Sequence, residues 1–453
     1  MLKNFFEPRS VAIIGASRNP KKIGHVIFRN FIEGSFKGKV YPINPNTREL
    51  LGQKCYPTVL SVKDRIDLAV ICVQSPIVPG IIEQCGKKGI KACIIISGGF
   101  REIGNTELEN QCIHIAKKYG IRILGPNCMG IFSPVSGVDT LFLPRYKVER
   151  PKKGNIAFIS QSGALGSVML DWMAMKGYKL SYFVSYGNAA DVDETELLEY
   201  LSNTKTTRVI CAYIEGVKNG RKFYNVLRKV SRKLPVIILK GGRTQEGTNA
   251  IHSHTGSLAG TSEIYTAAFK QANVIEAKTL EDLFDFARIL STQPKPKGNK
   301  IQIITNGGGF GILMADAVIS KGMKLAEMSK KGLRRLKDAM PPYVVLRNPM
   351  DLTGDATTER YRIAIESAIS DKNVDMIIVI SLLQTPLLTT DIVDVISELG
   401  RKGKKPTIFV ALGGRFTSLL KKTLEDSGIP TFSYPERAAE SLKVLYEYYR
   451  KRG

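Results

Sequence analysis

Short apolar runs alternate with polar loops and helical patterns along most of the chain. In the first third, five runs rich in Val and Ile each end in a polar loop: VAII is followed by GAS, VYPI by NPN, LAVICV by QSP, ACIII by SGG, and IRIL by GPN. Such runs, separated by helical patterns, are typical of parallel strands in an α/β fold. Because ligands of these sheets bind at the carboxyl ends of the strands, the pattern predicts a nucleotide-like site in this region.

Two segments that lack apolar periodicity divide the chain. Residues 145–154 and 291–300 are rich in Lys, Pro and Gly, a composition typical of linkers. A chain of 453 residues is long enough for about three domains of ~150 residues each. We therefore expect domains at 1–145, 150–292 and 299–453.

The segments that follow the two linkers resemble each other. FISQSGALG at 158–166 corresponds to IITNGGGFG at 303–311, and KGYKL at 176–180 corresponds to KGMKL at 321–325, at a constant offset of 145 residues. Duplication of one α/β domain explains this register. The alternative is two independent domains that meet the same strand–turn–helix constraints, but such a turn does not require KGxKL.

The chain is strongly basic, with a formal net charge of +25. Its Lys and Arg residues are dispersed, and no nucleic-acid-binding motif accompanies them. Phosphate-bearing ligands or an acidic protein subunit therefore account for the charge at least as well as nucleic acid does. We expect no nucleic-acid partner.

The cysteines and the apolar runs indicate the compartment. The seven cysteines show neither a CxxC pair nor metal-ligand spacing, so we expect reduced core residues and no metal site. No apolar run approaches the ~20 residues of a membrane span, and the first residues lack the pattern of a signal peptide. The expectation is a cytoplasmic protein without a membrane partner.

The first loop departs from the phosphate loop of a dinucleotide-binding fold. Ser17 and Pro20 stand where G-x-G-x-x-G has its second and third glycines, and Asn44 stands where an acidic residue would bind a ribose hydroxyl. These departures weaken the NAD hypothesis. The hydroxyl of Ser17 and the cations of Lys21 and Lys22 suit phosphates instead, and a structural turn with solvated lysines is the alternative.

Two later turns have the composition of anion sites. Each lies between a strand and an apolar-periodic helix: SQSG at 160–163 and TNGGG at 305–309. Free N–H groups and the positive end of the helix dipole attract anions, and glycine lets a phosphate approach closely. One such turn is usually structural. Two related turns predict one phosphate held between the helix starts at Ser162-Gly163 and Gly307-Gly308.

Two of the four histidines lie in IHSHTG at 251–256. No third His, Cys or close carboxylate completes a metal site, and ordinary loop histidines are the default interpretation. A third interpretation is a nucleophile, because a neutral imidazole attacks phosphorus and carries the phosphoryl group covalently. Its other ring nitrogen then needs a partner. Glu215, after the strand VICAYI, is a candidate, although a lone glutamate there is more often solvated.

Taken in order, the motifs resemble those of one family. FFEPRSVAIIGAS, YPINP, the SGGF loop, GPNCMG, SQSGALG, SYGNAADVD, YIEG, SHTGSLAG, TNGGGFG and NPMDLTGDA follow each other as in the alpha subunit of the ADP-forming acyl-CoA synthetases of the archaeal acetyl-CoA synthetase type. The succinyl-CoA synthetases are more distantly similar. The resemblance implies an α/β protein with mainly parallel sheets, in which a Rossmann-like CoA-binding domain precedes two flavodoxin-like ligase domains.

The resemblance also implies a reaction and the residues that perform it. Orthophosphate would cleave the thioester of a small acyl-CoA, acetate-like or other, and His254 would take the phosphoryl group while Glu215 orients the modified imidazole. The phosphate would be held by the two helix starts: Ser162, Gly163, Gly307 and Gly308. CoA would lie across residues of the first domain: Gly15, Ser17, Lys22, Pro45, Asn46, Val73, Gln74, Ser75 and, near the thiol, Asn127. Asn188 in SYGNAADVD is the candidate for the acyl pocket.

A nucleotide site is missing from this set of motifs. The family's ADP or ATP site, with Mg²⁺, belongs to an ATP-grasp domain, for which three domains leave no room. The resemblance therefore implies a separate ATP-grasp beta subunit in an A2B2 heterotetramer. Two alternatives come from other classes: a nicotinamide-dependent oxidoreductase, which would bind NADH instead of CoA, and a noncatalytic CoA-binding regulatory protein, which would leave the paired helix starts and the histidine loop unexplained.

Overall fold

The computed structural model describes residues 2–249 and 261–452. They belong to two compact units, Met1–Leu280 and Glu281–Gly453. In the described residues, the first unit has two main sheets and a small two-stranded sheet, and the second unit has one sheet. Helices connect most successive strands.

The first unit has thirteen named strands in the described residues. In chain order its elements are α1 (Lys3–Phe6), β1 (Ser10–Ile14), α2 (Ile23–Glu33), β2 (Lys39–Ile43), β3 (Glu49–Leu50), β4 (Gln53–Lys54), β5 (Leu68–Ile71), α3 (Val78–Lys88), β6 (Ala92–Ile95), α4 (Thr106–Tyr119), β7 (Arg122–Leu124), β8 (Gly130–Phe132), β9 (Lys153–Ser160), α5 (Gly163–Met175), β10 (Leu180–Ser185), α6 (Glu194–Leu201), β11 (Val209–Ile214), α7 (Gly220–Ser231), β12 (Val236–Lys240), α8 (Ser262–Gln271) and β13 (Ile275–Ala277). Short 3₁₀ helices occur at Val59–Ser61, Ser75–Ile77 and Arg101–Ile103.

The second unit begins within the helix that joins it to β13. Its elements are α9 (Leu280–Thr292), β14 (Lys300–Thr305), α10 (Gly308–Ser320), β15 (Lys324–Leu325), α11 (Lys330–Ala339), β16 (Met350–Asp351), α12 (Thr358–Ser370), β17 (Met376–Ile380), α13 (Ile392–Lys402), β18 (Thr407–Val410), α14 (Arg415–Asp426), β19 (Thr431–Phe432) and α15 (Pro435–Arg450).

The three main sheets share one strand order. They run β2-β1-β5-β6-β7, then β10-β9-β11-β12-β13 with β8 added beside β10, and β15-β14-β17-β18-β19 with β16 paired to β14. Every pairing in them is parallel except that of β8 with β10. In such doubly wound sheets the ligand crevice lies where the chain reverses direction, between the first and third strands. The predicted α/β fold with mainly parallel sheets is confirmed.

The central strands are apolar because helices cover both of their faces. SVAII, LAVI and ACII of the first sheet are buried at every position, and so is MIIVI of the third. Strands buried on both sides read as continuous Val- and Ile-rich runs rather than alternating ones. This is why the apolar runs located the strands from the sequence.

The repeat seen in the sequence is preserved in the helices. Both α5 and α10 contain 13 residues, and each follows the first strand of its sheet. Their starts, Gly163 and Gly308, keep the offset of 145 residues. Neither helix has a charged residue in its first turn.

In the first unit, a segment from each main sheet's part of the chain packs against the other main sheet. Strand β8 follows the first sheet in the chain, yet it pairs antiparallel with β10 of the second sheet. In return, a loop of the second sheet runs along β7: the backbone N–H groups of Asn188, Ala190 and Val192 donate to the carbonyl oxygens of Pro126, Gly125 and Ile123, each at 3.0 Å. The expected boundary near residue 145 therefore lies inside one compact unit.

Within residues 2–249 and 261–452, no helix is both long and apolar enough to cross a membrane. Six of the seven cysteines are buried.

Candidate active site

The loop after β1 lies against the loop after β5. Gly15 has a φ of +93°, and a Cβ atom at this position would stand 2.6 Å from the carbonyl oxygen of Cys72 and 2.9 Å from Cγ1 of Val73. Only glycine fits this backbone and this space. The contact falls between the first and third strands of the sheet, where the strand order predicts the ligand crevice.

Helix α2 starts against the same glycine. A Cβ atom on Gly24 would stand 2.1 Å from the carbonyl oxygen of Gly15 and 2.7 Å from its carbonyl carbon. Gly24 therefore performs the close helix-to-strand packing that the third glycine of a dinucleotide motif provides. The sequence analysis looked for this glycine at Pro20 and missed Gly24, for which KKIGH is the only signal.

The predicted phosphate-binding residues flank this helix start. The Ser17 hydroxyl accepts the Asn19 N–H at 3.1 Å, and the Ser17 carbonyl oxygen accepts Nδ1–H of the buried His25 at 2.7 Å. Lys22 is exposed at the N-cap of α2. A hydroxyl, a cation and a helix start thus lie together, and such groups suit anion binding.

Asn44 joins the loop after β2 to the phosphate loop. Its Nδ2 donates to the Ala16 carbonyl oxygen at 2.6 Å, and its Oδ1 accepts the Asn46 N–H at 2.8 Å. Pro45 and Asn46 are exposed beside it. Asn44 stands where NAD-binding folds have the acidic residue that binds ribose. Its side chain instead holds two loops together.

The remaining loops of the first sheet continue this row. The Ser97 hydroxyl hydrogen-bonds to the Val73 carbonyl oxygen, a Cβ atom on Gly99 would stand 2.5 Å from the Ser75 hydroxyl oxygen, and the Asn127 N–H donates to the Ser97 carbonyl oxygen at 2.9 Å. Gln74 is exposed between them. The four loops predicted to bind CoA and the SGGF loop are thus linked by direct contacts along one edge of the sheet.

Asn188 connects this edge to the second sheet. Its side chain is buried, with 7% of the residue exposed. Its Nδ2 donates to Oε2 of Glu102 at 2.7 Å and to Oε2 of Glu109 at 2.9 Å, and its Oδ1 lies 3.4 Å from Nδ2 of Asn127. The candidates for the thiol end of CoA and for the acyl pocket are therefore in contact.

Glu102 is anchored within the SGGF loop. Its Oε1 accepts the backbone N–H groups of Gly99 at 2.5 Å and Phe100 at 3.2 Å. Burial acts to raise the pKa of this carboxyl, but the hydrogen bonds from Asn188 and from these N–H groups outweigh it and lower the pKa. Glu102 is therefore an anion at neutral pH, and the sequence analysis gave no role to it or to Glu109.

Glu215 is buried rather than solvated, with 6% of the residue exposed. Its backbone N–H donates to Oε1 of Gln161 at 2.8 Å, and Gln161 is the residue before Ser162 at the start of α5. Burial and the adjacent Glu215 carboxylate together raise the pKa of Tyr213 to about 12. The pKa of the buried Lys240 is lowered by burial, and the Glu215 charge opposes that shift. The carboxylate, a cation and a helix start thus lie close together.

Helix α5 starts where the sequence predicted, and the Ser162 side chain caps it. The Ser162 hydroxyl accepts the Leu165 N–H at 3.3 Å, and Gly163 is the first residue of the helix. A Cβ atom on Gly163 would stand 3.0 Å from Cγ of Met129. The Met129 side chain therefore lies against the first residue of the helix, and a glycine there leaves room for it.

The equivalent turn in the second unit is more crowded. The Thr305 hydroxyl accepts the Gly307 N–H at 3.0 Å, and Oδ1 of Asn306 accepts the Leu382 N–H at 2.8 Å. A Cβ atom on Gly308 would stand 2.8 Å from Oδ2 of Asp351. A carboxylate thus lies beside this helix start, which the sequence analysis did not anticipate.

The proposed nucleophile, His254, lies outside the described residues, as does His252. The described chain reaches the segment through a short helical stretch at 245–249.

Three family models together match most of the described chain. A CoA binding domain model matches residues 9–134, a succinyl-CoA ligase-like flavodoxin domain model matches 153–290, and a ligase-CoA domain model matches 301–452. The first of these favours CoA over the nicotinamide alternative.

Individual relatives match the chain over nearly its whole length. It is 40% identical to the alpha subunit of ADP-forming acetate–CoA ligase I of Pyrococcus furiosus, covering 99% of this chain and 97% of that subunit. It is 44% identical to the ADP-forming acetate–CoA ligase of Methanocaldococcus jannaschii, covering 99% of this chain but 63% of that protein.

A solved structure agrees with the fold. The dinucleotide-forming acetyl-coenzyme A synthetase 1 of Ca. Korarchaeum cryptofilum, in complex with phosphate and ADP, superposes with a TM-score of 0.92 at 39% identity and covers 100% of this chain and 97% of that one.

Proposed function

This chain belongs to the family of ADP-forming acetate–CoA ligase alpha subunits, and we propose that it is the CoA-binding, phosphohistidine-carrying subunit of an ADP-forming acyl-CoA synthetase. The enzyme converts acyl-CoA, ADP and orthophosphate to a small carboxylic acid, ATP and CoA in the cytoplasm. Residues 1–145 bind CoA, and 150–292 and 299–453 form the two ligase domains.

The reaction on this chain has two chemical steps. An oxygen of orthophosphate bonds to the thioester carbonyl carbon, the C–S bond breaks, and CoA leaves as a thiolate that takes up the proton lost by the phosphate. Nε2 or Nδ1 of His254 then bonds to the phosphorus of the acyl phosphate, the P–O bond to the acyl group breaks, and the carboxylate leaves. ADP later accepts the phosphoryl group and regenerates the imidazole.

One observation carries this proposal: the continuous row of contacts from the phosphate loop to Asn188. Gly15 and Gly24 bring the start of α2 close to the loop after β1, where Ser17 and Lys22 lie. The row ends where Asn127 meets Asn188. A long ligand with phosphates at one end and a reactive thiol at the other fits such a row.

Glu215 and Ser162-Gly163 suit the phosphohistidine step. Phosphorylation fixes a negative phosphoryl group on a ring whose other nitrogen carries a proton. The buried carboxylate of Glu215 supports that ring nitrogen, as carboxylates do for histidines elsewhere. The helix start at Ser162-Gly163 contributes ~0.3–1 kcal/mol toward a bound dianion. The start at Gly307-Gly308 contributes less, because the Asp351 carboxylate lies beside it.

The nucleotide site belongs to a second polypeptide in this proposal. The Methanocaldococcus jannaschii relative is longer than this chain, which spans 63% of it, whereas the Pyrococcus furiosus relative of matching length is named a subunit alpha. We assign ADP and Mg²⁺ to an ATP-grasp beta subunit and the assembly to A2B2. The net charge of +25 suits an acidic partner.

Labelling with phosphate tests the proposal. The chain with its co-purified partner is incubated with acetyl-CoA and labelled orthophosphate, and the label is located by peptide mapping. We expect an acid-labile, base-stable label on the peptide that contains His254, and none in His254→Ala. The matched control His252→Ala should label normally. Label elsewhere, or loss of label in His252→Ala but not in His254→Ala, would refute the assignment.

Glu215→Gln tests the supporting carboxylate. The neutral amide cannot offset the charge on the phosphorylated ring, and hydrogen bonds to charged groups contribute ~1.5–3 kcal/mol, so the yield of phosphohistidine should fall at least about tenfold. CoA affinity, measured by titration calorimetry, should stay within about twofold. An unchanged yield would remove Glu215 from the mechanism.

A further inference from the structure

Two carboxylates take both N–H groups of the Asn188 amide. Nδ2 donates to Glu102 at 2.7 Å and to Glu109 at 2.9 Å. An ionised carboxylate only accepts hydrogen bonds. The amide nitrogen must therefore face the two glutamates, and the amide oxygen must face the opposite way, toward Asn127.

The two carboxylates are themselves held in place. Glu102 accepts two backbone N–H groups of its own loop. Oε1 of the buried Glu109 lies 3.8 Å from Nη1 of Arg101, and Nη2 of Arg101 donates to the Asn188 carbonyl oxygen at 2.5 Å. The amide is fixed at its side chain and at its backbone, so its orientation is determined before any ligand arrives.

The orientation of the Asn188 amide fixes how the Asn127 side chain hydrogen-bonds. The Asn188 Oδ1 accepts from Nδ2 of Asn127 across 3.4 Å, which uses one of the two N–H groups of that amide. The Asn127 backbone, with a φ of +56°, is hydrogen-bonded to Ser97, and its side chain is exposed. The second N–H is therefore left as a donor at the exposed end of the row of CoA-binding loops.

We propose that Glu102 and Glu109 are positioning residues, which fix the Asn188 amide so that Asn127 presents an N–H donor to the carbonyl oxygen of the acyl thioester. The inference rests on the proposed function, because it assumes a thioester beside Asn127. When phosphate oxygen bonds to the carbonyl carbon, negative charge collects on the carbonyl oxygen until the C–S bond breaks. A donor set before the reaction stabilises that charge more than it stabilises the ground state.

Glutamine has nearly the same shape as glutamate, but its side chain has an NH₂ donor in place of one acceptor oxygen. In Glu102→Gln, the side-chain oxygen stays on the backbone N–H groups of Gly99 and Phe100, and its new NH₂ group meets the NH₂ of Asn188. In Glu109→Gln, one oxygen remains for two donors, Arg101 and Asn188. Each single change loosens the Asn188 amide, and the double variant removes both reasons for the original orientation. Glu107→Gln, on the exposed side of the first turn of α4, is the matched control.

The experiment compares two routes to phosphohistidine in the enzyme assembled with its partner. One route uses acetyl-CoA with labelled phosphate, and the other uses γ-labelled ATP, which involves no thioester. We expect each single variant to slow the acetyl-CoA route about tenfold and the double variant to approach Asn127→Ala, about 100-fold, the scale of losing one oriented donor. For the glutamine variants, the ATP route and the Kd for CoA should stay within about twofold of the wild type, as for Glu107→Gln.

Each other outcome has a definite meaning. If the glutamine variants match Glu107→Gln in the acetyl-CoA route, the positioning role is refuted. If both routes slow equally, or CoA binding weakens in parallel, the glutamates serve the fold and the inference is also refuted. If the wild-type enzyme binds CoA but is labelled by neither route, the proposed function fails and the inference fails with it.

Discussion

The contact between α2 and the phosphate loop predicts the effect of Gly24→Ala. The added Cβ atom would stand 2.1 Å from the Gly15 carbonyl oxygen, whereas ordinary contact begins at 3.4 Å. The helix start must therefore move by about 1.3 Å relative to the loop, because both clashing atoms of Gly15 belong to the backbone. Overpacking of this kind costs ~1–3 kcal/mol.

The higher helix propensity of alanine offsets part of that cost, and the shift of the helix start also weakens CoA binding. Alanine is a better helix former than glycine by ~1 kcal/mol, so the free energy of unfolding should fall by about 0–2 kcal/mol. The N–H groups at the start of α2, which we propose to bind the CoA phosphates, would move with the helix. Losing one hydrogen bond to a charged group costs ~1.5–3 kcal/mol, so the Kd for CoA should rise at least about tenfold.

Urea denaturation and titration calorimetry with CoA measure the two effects. Gly80→Ala is the control, because Gly80 also lies in the first turn of a helix and a Cβ atom there has nothing within 4 Å. That variant should be at least as stable as the wild type and bind CoA equally well. The packing argument is wrong if Gly24→Ala and Gly80→Ala behave alike.

Three further predictions concern groups around the site. Burial raises the pKa of Glu194 from 4.5 to about 7, so the native state binds more protons and the free energy of unfolding should fall as pH rises from about 5 to 7. Urea titrations should show that Glu194→Gln loses this slope, and an unchanged slope would contradict the assignment. Arg122→Met removes the cation that lies 2.9 Å from both Asp191 and Glu196. The free energy of unfolding should fall by ~1–3 kcal/mol, between the values for exposed and buried ion pairs. A loss under ~0.5 kcal/mol would show that these ion pairs are dispensable for stability. Burial raises the pKa of Cys128 to about 12, so mass spectrometry should find no alkylation by iodoacetamide in the native protein at pH 8, and modification at the rate of a free thiol would contradict this.

The sequence could locate the loops of the site because strand ends follow from local patterns. Gly15, Val73 and Ser75 come directly after apolar runs, and parallel strands bring their carboxyl ends to one edge. The helix starts at Gly163 and Gly308 were predicted in the same way and are confirmed as helix starts. Their joint action on one phosphate stays a prediction.

The residues that the sequence analysis missed act through distant partners. Gly24 packs against a residue of the preceding loop, and its spacing from Gly15 differs from the dinucleotide motif. Glu102 and Glu109 acquire their partner only because a loop from the second sheet lies along β7. Asp351 reaches Gly308 from β16. No local periodicity encodes such contacts, which depend on tertiary packing.

The exchange of segments between the two sheets of the first unit limits how the chain can be recombined. A chimera cut near residue 145 would take β8 away from its partner β10 and strip β7 of the loop that covers its edge. To move the proposed CoA site into another enzyme, residues 1–280 should therefore be transferred together.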